Sequence, residues 1–278
     1  MFLKRVIIVG LCLIVAIPST VLAFQREPVV KLSPQVRVSN IATAPMSKQL
    51  ENLIKPFLKN ALVADISDLN RYPYVVAFPG KSITAVTGER FYARGSILAT
   101  MPSYRIVRSG GAYVDPQTKE TLGYALNPIG KANVQEVGDP STLVVANLML
   151  PVAIGDRLIP STETRMDLSF SPHVATAKIS GQIIAILGTE NGFNQAGKYS
   201  AVVLNQGAQA GVQLGDILTI STPGKTVSDS VDNVKKPVKL PGERIGELIV
   251  FKVYERLSFA LITETSGNVQ VQDWVGNT

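Results

Sequence analysis

The sequence of 278 residues contains one cysteine, one histidine and one tryptophan, and these shortages exclude several kinds of site. The cysteine, Cys12, lies in an apolar N-terminal stretch, so the chain beyond it has neither disulfides nor thiol chemistry. The lone histidine, His173, excludes a metal site built on a histidine pair, and cysteine ligands are missing as well. We therefore expect a fold stabilised by its apolar core, with no cofactor and no metal.

Long basic runs are also missing, although 27 Lys and Arg residues outnumber 21 Asp and Glu residues. Basic residues are not interleaved with aromatic ones, so the sequence predicts no nucleic-acid partner. No G-x-S-x-G or S-x-x-K motif supplies a nucleophile. We expect a protein that is not an enzyme.

The N-terminal residues 1–23, "MFLKRVIIVGLCLIVAIPSTVLA", have the layout of a secretory signal peptide. A basic start precedes an apolar run, Pro18 breaks it, and small residues end it at Ala23. The alternative is a permanent inner-membrane anchor over residues 6–25, which is close to the length that spans a bilayer. We expect export to the periplasm, with membrane contact only if the signal stays uncleaved.

Residues 24–46 are polar and proline-spaced, and they predict an extended leader or linker. Residues 47–72 place apolar side chains at helical spacing, with Ser47 as the expected N-cap. Pro56 is expected to bend or split this amphipathic helical segment.

From residue 73 onward, short β-rich runs alternate with Gly, Pro and Asp turns, which is typical of small barrels or sandwiches. We predict a mainly β protein with two barrel-like or sandwich-like subdomains, over residues 73–160 and 173–278. A spacer, 161–172, separates them. A polar segment, 221–243, is expected to form a long hairpin loop in the second subdomain.

A Gly-Asp pair recurs between apolar runs, at Gly138-Asp139, Gly155-Asp156 and Gly215-Asp216, and Gln272-Asp273 resembles it. Glycine allows a positive φ, and aspartate accepts hydrogen bonds from nearby backbone N–H groups, so each pair predicts a tight turn. The alternative is a calcium or catalytic carboxylate site, but the dense spacing of a calcium loop is missing. The repeat predicts two related subdomains, whose superposition brings Gly155-Asp156 close to Gly215-Asp216 or to Gln272-Asp273.

The chain from about residue 47 onward resembles the C-terminal β region of proteobacterial LysM-domain-containing, peptidoglycan-binding envelope proteins. The resemblance implies association with peptidoglycan or with periplasmic or outer-envelope proteins. The LysM module itself is missing between Ala23 and Ser47, so none of its glycan-binding residues carries over. The stretches that carry the resemblance are "YPYVVAFPGKSITAVTGERFYARG", "YRIVRSGGAYVDPQTKETLGYALNPIGKA", "VGDPSTLVVANLMLPVAIGDRLIP", "SGQIIAI", "YSAVVLNQGAQAGVQLGDILTI" and "LPGERIGELIVFKVYERLSFALITET".

We expect a non-enzymatic cell-envelope protein that recognises its partner through the surface of its β modules. Direct glycan binding without LysM and a cell-wall hydrolase are the alternatives. Trp274 is the best aromatic candidate for a sugar, although it could instead pack the last strand onto its barrel. The other candidate surface residues are Tyr254, Arg256, Tyr92, Arg94, Arg105, Arg108, Lys235 and Lys236.

Overall fold

The computed structural model describes residues 47–161, 170–188, 194–224, 226–229 and 236–277. Contacts within the chain gather Asn40–Thr278 into one compact unit. The predictions for the signal segment, the leader and most of the spacer fall on residues outside the described ranges. Those predictions remain untested.

Two helices open the described chain. Helix α1 spans Lys48–Asn60 and helix α2 spans Ile66–Arg71, with the short strand β1 at Val63–Ala64 between them. The Ser47 hydroxyl caps α1 by accepting a hydrogen bond from the backbone N–H of Leu50 at 3.3 Å, as its sequence position predicts. Helix α1 continues through Pro56 and is not split there. No helix among the described residues is long and apolar enough to cross a bilayer.

Barrel 1 is a closed ring of six antiparallel strands. Strand β1 adds to its outside by pairing with β5. Around the ring the order is β2-β3-β6-β5-β4-β7 and back to β2. The strands of barrel 1 are β2 (Tyr74–Ala77), β3 (Arg90–Arg94), β4 (Ser103–Val114), β5 (Thr121–Glu136), β6 (Ser141–Leu148) and β7 (Arg157–Pro160).

Barrel 2 is a second closed ring of six antiparallel strands, in the order β9-β11-β16-β15-β12-β18 and back to β9. Strand β8 pairs in parallel with β12, and two short two-stranded sheets, β10 with β17 and β13 with β14, complete the described strands. The strands of this half are β8 (His173–Val174), β9 (Ser180–Ile186), β10 (Gln195–Ala196), β11 (Ala201–Leu204), β12 (Asp216–Ser221), β13 (Thr226–Asp229), β14 (Lys236–Lys239), β15 (Arg244–Val253), β16 (Ser258–Thr265), β17 (Val269–Gln270) and β18 (Trp274–Gly276).

The prediction of a mainly β protein with two barrel-like subdomains is confirmed. Alternation of side chains explains why these sequences close into barrels. In β3, Phe91 and Ala93 are buried between exposed arginines, and in β12, Leu218 and Ile220 point inward. Each barrel therefore has its own apolar core.

The two barrels share one topology. Numbered in chain order within each barrel, the strands run 1-2-5-4-3-6 around both rings. Gly155-Asp156 leads into the sixth strand of barrel 1, and Gln272-Asp273 leads into the sixth strand of barrel 2. Gly215-Asp216 leads into the third strand of barrel 2. The two turns before the sixth strands therefore occupy equivalent places.

Three strands of barrel 2, β11, β15 and β16, each contain a run of at least four consecutive buried residues, so these runs are buried on both faces. Their inner faces fill the barrel, and their outer faces contact a third cluster that includes Ile54 and Leu58 of α1. This double burial explains the continuous apolar runs "LIVF" and "FALI", which lack the alternation of a half-exposed strand.

The turn between β4 and β5 connects barrel 1 to barrel 2. Asp115 accepts hydrogen bonds from the backbone N–H groups of Gln117 and Thr118 at 2.8 and 2.9 Å. Its other oxygen accepts from the Asn205 side-chain amide of barrel 2 at 2.7 Å. The Asn205 amide oxygen in turn accepts from the Gln182 backbone at 2.6 Å. A buried polar network therefore joins the two barrels.

Candidate functional site

The candidate site lies around Trp274, the first residue of β18. This strand lies between β9 and β12, where Trp274 pairs with Gln182 on one side and Ser221 on the other. The next residue, Val275, is 2% exposed and fills the barrel core, so alternation turns Trp274 outward, and it is 39% exposed.

A cleft of about 210 Å³ opens beside the indole. Its walls combine hydroxyl groups, one ammonium group and apolar surface, and Lys178 is the only charged residue among the described residues that line it. Within the described part of the chain, no hydrogen bond engages the side-chain hydroxyls of Ser180, Thr219 and Ser221. The lining residues are Lys178, Ile179, Ser180, Thr219, Ser221, Trp274, Val275, Gly276 and Asn277.

Asn277 fixes one wall of this cleft. Its amide oxygen accepts a hydrogen bond from the backbone of Ile179 at 2.8 Å. Its amide nitrogen donates to the carbonyl groups of Ala175 and Ala177 at 3.0 and 2.6 Å. These bonds hold the segment before β9 against the end of β18 and so fix the shape of the cleft.

The turn before β18 sets the position of the indole. The Asp273 carboxylate accepts a hydrogen bond from the backbone N–H of Gln270 at 2.7 Å, while Gln272 adopts a φ of 77°. Burial raises the pKa of Asp273, and the bond from Gln270 opposes that rise. The side chain is 4% exposed, so it acts as a turn support beneath the cleft.

The same kind of turn occurs at two other places in the molecule, before β7 and at the start of β12. Asp156 accepts from the backbone of Ala153 at 2.8 Å, and Asp216 accepts from the backbone of Gln213 at 2.7 Å. Gly155 and Gly215 have φ values of 90° and 95°. These carboxylates are therefore used inside turns, and the described residues contain no group of three or more potential metal ligands.

Asp139, the remaining carboxylate of the predicted turns, has a different environment. It is exposed and forms a two-pronged ion pair with Arg94, with both N–O distances at 3.1 Å. The Arg94 guanidinium lowers the pKa of the Asp139 carboxyl. This pair is a surface contact of barrel 1, and Tyr92 lies half-buried two residues earlier on β3.

Arg108 has a structural partner. Its guanidinium donates to the buried Asp156 carboxylate at 2.7 and 2.9 Å and to the carbonyl of Pro151 at 3.1 Å. The side chain therefore supports the turn before β7, although part of it remains exposed.

Tyr254 and Arg256 lie where the helical segment meets the two barrels. The Tyr254 hydroxyl donates to the carbonyl of Ala61 at 2.9 Å and accepts from the backbone of Val63, and burial raises its pKa to about 12. Arg256 pairs with Glu120 and Asp65 and donates to the carbonyl of Thr121. These contacts hold elements of the molecule together.

Arg105 is half-buried beside the same junction. Burial lowers the pKa of Lys252 and the Arg105 charge adds to that lowering, whereas for Tyr254 the same charge opposes the rise in pKa that burial causes. Lys236 belongs to β14 in the predicted loop 221–243, which therefore contains a β ribbon. Lys235 lies outside the described residues. Of the predicted surface residues that the structure describes, Trp274 alone lines the cleft, and none of the others is brought to it.

Sequence reasoning missed Lys178 and the hydroxyl residues of the cleft. Ser180, Thr219 and Ser221 occur on two strands about forty residues apart, and they meet because β18 is inserted between β9 and β12. Single Ser, Thr and Lys residues in β runs carry no chemical motif. Their outward position in the alternation of β12 was the one available signal.

His173 was also assigned no partner from the sequence. Its ring faces two oxygen atoms, the carbonyl of Ser171 at 2.9 Å from Nδ1 and a carboxylate oxygen of Asp216 at 3.1 Å from Nε2. The pairing follows from the parallel register of β8 with β12, which places His173 opposite Asp216.

The sequence of this chain matches no protein-family model and no curated protein.

Proposed function

We propose that the protein is a non-catalytic binding protein of the cell envelope that recognises the glycan of peptidoglycan through the Trp274 cleft. The observation that carries the proposal is the exposed indole beside a cleft lined by three hydroxyl side chains and one lysine. The signal-like N-terminal segment and the resemblance to peptidoglycan-associated proteins support an envelope location.

The chemistry of the cleft suits a sugar. An aromatic face stacks on the apolar C–H face of a pyranose ring, while an amphipathic indole tolerates water at its edge. Ser180, Thr219 and Ser221 offer hydroxyl groups that both donate and accept hydrogen bonds, as sugar hydroxyls do. Lys178 adds a positive charge for carboxylate groups of the wall polymer.

The test is co-sedimentation of residues Phe24–Thr278 with insoluble peptidoglycan sacculi at low and moderate salt. This chain retains the complete compact unit Asn40–Thr278. We expect binding that persists at moderate salt and that weakens at least about tenfold in Trp274→Ala, the loss typical of truncating an aromatic anchor. Tyr199→Ala is the matched control, because Tyr199 is an exposed aromatic of the same half of the molecule, outside the cleft.

Binding that disappears at moderate salt would reduce the interaction to general charge attraction and contradict the proposal. Equal loss in Trp274→Ala and Tyr199→Ala would also contradict it, because the cleft would then have no special role. Retained binding in Trp274→Ala would place the glycan site elsewhere.

A further inference from the structure

One end of barrel 1 exposes five large apolar side chains on two neighbouring loops, the first between β2 and β3 and the second between β6 and β7. Ile83 is 81% exposed and Ile154 is 64% exposed. Val86, Met149 and Leu150 are also exposed. We call these five residues the apolar tip. Exposed aliphatic residues scattered singly are ordinary, but a group of them at one end of a barrel marks a contact surface.

Hydrogen bonds show that the two loops lie side by side. Ala85 and Val152 form an antiparallel bridge, with N–O distances of 3.3 and 3.1 Å, and both side chains are buried. In antiparallel register from this bridge, Ile83 lies opposite Ile154, two residues away on one side. Val86 lies towards Leu150 on the other side of the bridge. Met149 immediately precedes Leu150, so all five residues lie on these two paired loops.

The residues around the apolar tip are mainly basic. Lys81 and Arg90 are exposed on the first loop and at its end. Lys131 pairs with Asn147 of β6, two residues before Met149. The one acidic residue of the first loop is Glu89, which accepts a hydrogen bond from the backbone of Val86 at 2.9 Å. On the second loop, the Asp156 carboxylate is buried and paired with Arg108, so the exposed charge around the tip is net positive.

We propose that the apolar tip docks on the surface of an anionic phospholipid bilayer, with Ile83, Ile154 and their neighbours in the acyl region and the basic residues at the headgroups. Aliphatic side chains flanked by Lys and Arg fit the boundary between acyl chains and anionic headgroups. A bilayer accepts such loops without a complementary shape. A stable protein interface needs about 800 Å² from each partner, and five side chains on two loops fall short of that area.

This inference does not depend on the Trp274 cleft, which belongs to barrel 2. Together, the two surfaces would allow one chain to contact the membrane with barrel 1 and the wall with barrel 2.

The test is co-sedimentation of residues Phe24–Thr278 with vesicles of phosphatidylcholine alone and of phosphatidylcholine mixed with phosphatidylglycerol. This chain omits the apolar run of residues 6–17, which would bind lipid by itself. We expect binding to the mixed vesicles and little binding to phosphatidylcholine. Ile83→Ser combined with Ile154→Ser is expected to weaken binding at least about tenfold, because two side chains lose their burial in the acyl region.

Val174→Ser is the matched control, since Val174 is 72% exposed on the other half of the molecule, and it is expected to bind as the parent does. Circular dichroism melts of all variants verify that they fold. Undiminished binding of the double variant would overturn the proposal, as would failure of the parent to bind either vesicle. Light scattering supplies a further measurement: a dimer that the double variant abolishes would assign the tip to a second copy and overturn the lipid assignment.

Discussion

The two arginine–aspartate pairs of barrel 1 provide a matched test of how burial determines the contribution of an ion pair to stability. Arg108–Asp156 and Arg94–Asp139 are both two-pronged pairs. The Asp156 side chain is 2% exposed, whereas the side chains of the second pair are both more than half exposed. We expect Arg108→Ala to destabilise the protein and Arg94→Ala to leave its stability unchanged within error.

The magnitude follows from what each variant leaves behind. Without Arg108, the buried Asp156 carboxylate retains the hydrogen bond from Ala153 alone, at 2.8 Å. Removing one partner of a buried pair costs about 3–5 kcal/mol. Because the Arg108 side chain is 41% exposed, water replaces part of the lost contact, and we expect about 2 kcal/mol. Without Arg94, Asp139 is simply hydrated.

The assay is thermal and urea unfolding monitored by far-ultraviolet circular dichroism at neutral pH. A loss of about 2 kcal/mol lowers the Tm by roughly 4–8 °C in a unit of this size. Equal shifts for the two variants would refute the reasoning, because burial would then not decide the contribution. A shift in Arg94→Ala alone would refute it as well.

Two further predictions concern packing and pH. Gly130→Ala is expected to destabilise the protein by about 2 kcal/mol in urea unfolding, because the added Cβ would lie 2.2 Å from the Asn147 carbonyl oxygen. Gly111→Ala is the control and is expected to have little effect, because no atom lies within 4 Å of its added Cβ. Equal effects of the two substitutions would contradict this account. Burial lowers the pKa of Lys252 to about 8 from its usual 10.5. Between those pH values the unfolded chain binds more protons than the folded one. The free energy of unfolding should therefore rise with pH from 8 towards 10, and Lys252 should contribute roughly 2 kcal/mol to that rise. The rise should be smaller in Lys252→Met, measured by urea unfolding across that range, and an identical slope in the two proteins would exclude Lys252 as its source.

The fold class was predictable because its signals are local. Alternation in β3 and β12 and the turns at Gly155 and Gly215 determine where strands begin and which face is buried. The double burial of β15 and β16 was visible as continuous apolar runs, but a sequence does not state what covers the outer face. Here α1 covers it, which is a contact between residues about two hundred positions apart.

Of the residues that form the candidate site, the sequence predicted only Trp274. Trp274 stood out by its chemistry, yet its direction could not be read, because the short strand β18 offers three residues of alternation. The same limit applies to Tyr254 and Arg256, which follow the end of a strand, where polar side chains are usually exposed to solvent. Their partners, Ala61 and Glu120, come from distant segments, so only the tertiary structure shows that their polar groups are engaged.

The strand order common to both barrels has a consequence for how the fold is organised. In a ring ordered 1-2-5-4-3-6, strands 1, 2 and 3 can be exchanged with strands 4, 5 and 6, and every strand keeps the same neighbours. Each barrel therefore has the internal pseudo-twofold symmetry of two interlocked units of three strands, in which the third and sixth strands are neighbours. Barrel 2 retains the mark of this symmetry, because Gly215-Asp216 and Gln272-Asp273 introduce its third and sixth strands, which pair directly. The strand order of the two-barrel chain thus corresponds to four units of three strands, and the Trp274 cleft lies beside β12 and β18, where two of those units meet.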